Sequence, residues 1–78
     1  SFGSVTEDEA IEKISADLLP QTVTKAVIPS QGGRDLYCYE ILCQAADDTR
    51  IVVYINSQDG AEEESLILSE NEEGYSAR

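Results

Sequence analysis

Seventy-eight residues carrying 16 Asp or Glu, 5 Lys or Arg and no His have a net charge of −11 and room for one small domain. A chain this short buries only about 60% of the surface it exposes when unfolded, enough for a thin two-layer core but not for the deep cleft of most enzymes. The negative field repels phosphate backbones and anionic leaflets, and the missing histidines remove the commonest general base, the usual nucleophile triads and the HExxH zinc motif.

The chain contains no Met. It therefore reads as a mature fragment or excised domain, with Ser1-Phe2-Gly3 expected to be a remnant or linker. The first element starts behind it. Thr6 with Glu9 three residues on is a capping box, and Glu7 and Asp8 complement the helix dipole. Ile11, Ile14 and Leu18 recur at i, i+3 and i+7, so the spacing predicts a helix from Glu7 to about Leu19, ended by Pro20, with one apolar stripe to bury.

Strand signals follow. Thr22 to Ile28 is rich in β-branched residues and closes on Pro29 and the turn-prone Ser30-Gln31-Gly32-Gly33. From Leu36 to Ala45 the alternation separates Tyr37, Tyr39, Ile41, Cys43 and Ala45, the better core face, from Leu36, Cys38, Glu40, Leu42 and Gln44. A polar break at Ala46-Asp47-Asp48-Thr49 leads into a strand from Arg50 to Asn56, and Asn56-Ser57-Gln58-Asp59-Gly60 supplies the next reversal. A last strand is expected over about Glu63 to Ser69, with residues 70–78 a frayed tail and the core at about residues 5–69. The fold class that results is α+β: one N-terminal helix packed on a four-stranded antiparallel β-meander, as a single domain.

Cys38 and Cys43 lie five apart on one strand, pointing to opposite faces about 16 Å from each other, which is beyond disulfide reach. They read as free buried thiols. No CxxC pair supports a metal site, and no cofactor is expected.

At this point the order and residues resemble the PepSY domain, a module of peptidase propeptides, membrane-anchored proteins and germination proteins of the YpeB type. Its pattern is an acidic "S/T-x-x-E-A" helix start followed by a paired strand ending in "V-Y-V-D-x-x-T-G". Here these are Thr6-Glu7-Asp8-Glu9-Ala10-Ile11 and Val53-Tyr54-Ile55-Asn56-Ser57-Gln58-Asp59-Gly60, with the resemblance covering about residues 5 to 69. Asn56 stands for the usual aspartate and Asp59 for the usual threonine, so the turn is kept while a ligand role for that aspartate is not carried over. The resemblance implies no catalysis. It implies an extracytoplasmic module that regulates or inhibits a peptidase or cell-wall lytic enzyme by contact.

Other motifs are weighed against plainer readings. Acidic residues crowd at two places, five between Glu7 and Asp17 and seven from Asp59 to Glu73. Glu62, Glu63 and Glu64, with Glu70, Glu72 and Glu73, offer a negative surface for a basic partner or weak Ca²⁺ binding, against solvated charge that deters edge pairing. Aligning Gly60 with the invariant EF-hand glycine puts Ile55 and Leu66 at ligand positions, so that motif fails. Tyr37, Tyr39 and Tyr54 suit either a stacking platform or packing with the hydroxyl at a rim. The strand face holding Leu36, Cys38, Leu42, Val52 and Tyr54 is too apolar to sit bare in water, and with Glu62, Glu63 and Glu64 it is the expected contact surface. Its partner is expected to be a protein: a peptidase or lytic enzyme, a neighbouring domain of the same chain, or a second copy in a homodimer. The rival readings are a structural or oligomerising domain of a larger exported protein, and an acidic module for a cation or small ligand. No apolar run approaches the roughly 18 residues of a bilayer span, so this fragment is expected to be soluble, without membrane insertion of its own.

Overall fold

The computed structural model describes residues 1–30, 32–71 and 74–77, of which 69–71 and 74–77 are described by backbone alone. One helix, α1 (Glu7–Glu12), precedes five strands: β1 (Leu19–Pro29), β2 (Asp35–Gln44), β3 (Arg50–Asn56), β4 (Glu62–Asn71) and β5 (Gly74–Ala77). All neighbours pair antiparallel in the order β1-β2-β3-β4-β5, a meander in which each strand lies beside the next in sequence. Prolines 20 and 29 fall near the ends of β1, an edge strand, where a missing amide costs little in ladder bonds.

The α+β expectation, a helix laid on a four-stranded sheet, is corrected on both counts. The helix is six residues, fewer than two turns, and the sheet has five strands. The capping box forms as expected: Glu9 donates its amide to Thr6 Oγ1 (3.1 Å), and the Thr6 amide donates to Glu9 Oε1 (3.0 Å). That second bond chiefly holds the Glu9 carboxyl below its ordinary pKa. Helical geometry stops at Lys13. The Lys13 and Ile14 amides close tight bonds to Ala10 and Ile11, and the Ser15 hydroxyl takes the Asp17 amide (3.2 Å), a local turn that competes with further helix. The apolar spacing was real, yet Ile14 and Leu18 ride on turns. Four residues of the stretch expected to fray, Gly74–Ala77, pair with β4.

The core is a cluster of Ala10, Tyr39, Ile41, Cys43, Val53 and Ile55, with Val5, Ile11, Ile14, Leu18, Val23 and Ile51 packed against it. What covers this sheet face is thus the whole N-terminal segment. Ile41 and Ile55 are fully buried and stabilise the fold by roughly 2–3 kcal/mol each. In its thinnest dimension the molecule measures 16 Å, room for one sheet and one cover at the usual layer spacing of about 10 Å.

Residues 1–3, expected as a remnant or linker, are built into the fold. Phe2 sets its ring edge-on to Tyr37 (5.5 Å between centroids), tilts against Tyr39 and receives the Lys25 ammonium at 5.0 Å. The Gly3 amide donates to Ser57 Oγ and the Val5 amide to the Ser57 carbonyl, both at 2.9 Å. Tyr39 Oη donates to the Val5 carbonyl at 2.8 Å. Residues 2–5 therefore form a strap across the end of the sheet.

Candidate functional site

Most of the residues expected at a contact surface fall on the reverse face of the sheet. Partners opposite each other in an antiparallel ladder put their side chains on the same face, so the registers of β1 to β4 sort this face into rows. Ile28 and Leu36 form the first row, and Ala26, Cys38 and Asn56 the second. Thr24, Glu40, Tyr54 and Glu64 make the third; Thr22, Leu42, Val52 and Leu66 the fourth; Gln44, Arg50 and Leu68 the last. The described residues that pack on the core all lie on the strap side. On this reverse face Leu36, Leu42, Val52, Tyr54 and Leu66 stay half-exposed, and Cys38 is buried among its neighbours.

Five of the residues expected at a contact surface, Leu36, Cys38, Leu42, Val52 and Tyr54, therefore share one face. The three glutamates divide. A bulge in β4 lets Glu62 pair with Ile55, on the core side, while Glu64 pairs with Tyr54. Glu63, the residue between, accepts a hydrogen bond from Asn56 Nδ2 (2.8 Å) on the reverse face. Ile28, Pro29, Ser30, Leu36, Glu63 and Glu64 line a shallow groove at this end. Of the further acidic positions, Glu70 is described by backbone alone, and Glu72 and Glu73 lie outside the described residues.

Sequence reasoning left Glu40 out. Its place in the β2 alternation puts it on this face, and the signal for its role is the register that aligns it with Tyr54 and Glu64. Tyr54 Oη donates to Glu40 Oε2 at 2.7 Å. Burial, then that hydrogen bond, then the charges of Glu40 and Glu64 push the Tyr54 phenol up to about 12, so at neutral pH it is a proton-bearing donor. The three tyrosines do not make one platform. Tyr39 is in the core and Tyr37 meets Phe2 on the strap side, whereas Tyr54 is on the other face.

Both cysteines are free and buried, Cys43 in the core and Cys38 on the reverse face. Burial raises both thiols above their ordinary pKa, and the Glu63 and Asp59 charges add to this at Cys38. Among the described residues no three His, Cys, Asp or Glu side chains converge to hold a metal ion. No helix among them is long and apolar enough to cross a membrane.

Among the described residues, fold and site define a small β-sheet unit with one face strapped by the N-terminal segment and a reverse face of half-exposed apolar rows crossed by acids. The chain is 33% identical over 72 residues to the sporulation protein YpeB of Bacillus subtilis (strain 168), a match that takes in 92% of this chain and 16% of that relative's length. The similarity is thus to one segment of a sporulation protein. No family model matches the chain, and no solved structure matches it.

Proposed function

We propose that this chain is a non-catalytic, PepSY-like module of an extracytoplasmic, sporulation-related protein, and that it regulates a peptidase or cell-wall lytic enzyme by direct contact. The carrying observation is the reverse face: Leu42, Val52 and Leu66 in one row on three adjacent strands and Ile28 with Leu36 at one end, all half-exposed, with the N-terminal cover on the opposite side. Apolar patches of that extent in water mark surfaces that meet another macromolecule. The similarity to YpeB supports the sporulation setting. The PepSY character rests on the capping box at Thr6 and Glu9 and on the turn from Asn56 to Gly60, where the Asn56 side chain accepts the Gln58 amide and Gly60 has a φ of 76°.

The test is a titration of a cell-wall lytic enzyme or peptidase with the chain, beside the double variant Leu42→Lys/Val52→Lys. Both positions are half-exposed, so the variant keeps its circular dichroism spectrum. Dose-dependent inhibition that the variant loses supports the reading. Wild type and variant acting alike would reject the face, and a dimer that the variant dissolves would favour the oligomerising alternative.

A further inference from the structure

The reverse face is not uniformly apolar, and its polar row restricts what can cover it. Glu40, Tyr54 and Glu64 lie in register on β2, β3 and β4, so the two carboxylates flank the phenol with their Cα atoms about 10 Å apart at the usual strand spacing. One flank along the strands is apolar, Leu42, Val52 and Leu66, while the other sets Ala26 and Cys38 beside the Asn56–Glu63 hydrogen bond. Glu40 accepts from the Tyr54 hydroxyl and Glu63 from the Asn56 side-chain amide, both neutral donors that leave the negative charge of these carboxylates in place. A purely apolar cover would strand those carboxylates without water or counter-ion, a heavy desolvation penalty. A second copy packed face to face would bring two such rows together, each on a chain of charge −11.

Resting on the contact reading given above, we propose that the occupant of this face is a protein segment presenting a lysine or arginine flanked by apolar side chains, with the cation over Tyr54 between Glu40 and Glu64. The apolar neighbours of that cation settle on the Leu42/Val52/Leu66 row and on the Ile28/Leu36 end. The Tyr54 ring adds the attraction of its π face for a cation, and a guanidinium suits the paired carboxylates better than an ammonium does. The negative field of the whole chain speeds encounter with such a partner and slows it with acidic ones.

The experiment uses three labelled extended peptides that share their apolar residues and differ at one central position, Lys, Gln or Glu. Their binding to the 78-residue chain is followed by fluorescence anisotropy at low and high salt. The Lys peptide is expected to bind about 10-fold more tightly than the Gln peptide, with the Glu peptide weakest and the spread narrowing as salt screens the charges. The double variant Glu40→Gln/Glu64→Gln, checked for folding by circular dichroism, is expected to erase the ranking while keeping apolar binding. Equal binding of all three peptides, no binding of the Lys peptide at millimolar concentration, or a Lys preference that survives in the double variant would overturn the proposal. Equal binding that Leu42→Lys/Val52→Lys abolishes defeats the charge rule alone. Binding that the lysine variant leaves unchanged defeats the contact reading too. A dimer in sedimentation that the lysine variant dissolves gives the face to a second copy.

Discussion

Replacing Gly3 by alanine adds one methyl group at a place where the strap touches backbone. Built on Gly3, that methyl overlaps the Ser57 carbonyl oxygen and lies 2.6 Å from Gln58 Cα and 2.9 Å from Gln58 N, distances that real Cβ contacts do not show. None of these atoms is the end of a flexible side chain, so strap or turn must move. Either movement breaks the 2.9 Å bonds from the Gly3 amide to Ser57 Oγ and from the Val5 amide to the Ser57 carbonyl. Two neutral bonds are worth about 1 kcal/mol each, and Ser57 is fully buried, so its hydroxyl loses a partner where water does not replace it. The expected loss is about 2–4 kcal/mol, which in a domain of this size lowers Tm by roughly 10–25 °C. Urea and thermal unfolding followed by circular dichroism measure it. Gly32→Ala is the control: its nearest neighbour is the Ser30 hydroxyl at 3.9 Å, so stability should hold or rise slightly through a less flexible unfolded chain. Gly3→Ala within about 0.5 kcal/mol of wild type would refute the reasoning, since the strap would then be peripheral to the fold.

Two further outcomes follow from the same geometry. Gly60→Ala should cost about 1–2 kcal/mol by denaturant titration, because an L-residue at a φ of 76° is strained and its Cβ would sit 3.0 Å from Lys13 Cε; an unchanged midpoint would mean that the turn relaxes freely. Stability should decline as pH rises from about 10 toward about 12, since the unfolded chain gives up the Tyr54 proton first and the folded chain holds it to about 12. Below about pH 10 that contribution is fully present, and the raised Cys38 and Cys43 thiols act in the same sense once pH passes 9.0. Ultraviolet difference absorbance should show a late-titrating tyrosine signal that Tyr54→Phe removes; Tyr54 ionising as it does in the unfolded chain would contradict its burial against Glu40.

Local chemistry made much of this legible. Thr6 and Glu9 announced the helix start, and β3 runs over the expected Arg50–Asn56. Alternation along β2 put Tyr39, Ile41 and Cys43 in the core and Cys38 on the other face. The helix end was misjudged because Ile11, Ile14 and Leu18 keep a helical spacing whichever backbone carries them, and the Ser15 hydroxyl decides between helix and turn. The β2–β3 turn places Asp48 at a φ of 67°, the left-handed region that short polar side chains tolerate, so glycine did not mark it. Two features needed the third dimension. The strap depends on Ser57 reaching residues more than fifty positions earlier, and the Glu40-Tyr54-Glu64 row depends on a bulge that shifts β4 by one residue. Neither leaves a periodic trace in the chain.

Ser57 has one more consequence. Its amide donates to the Tyr37 carbonyl at 2.9 Å, while its own hydroxyl and carbonyl receive the Gly3 and Val5 amides. A single small side chain and its peptide group thus knot the amino terminus, the second strand and the turn before the fourth into one cooperative unit. Hydrogen exchange at the Val5 and Ser57 amides then tracks global opening of the sheet, so the first residues of the chain, ordinarily the quickest to exchange, behave as interior. Any fusion or trimming that disturbs residues 2–5 acts on the stability of the whole molecule.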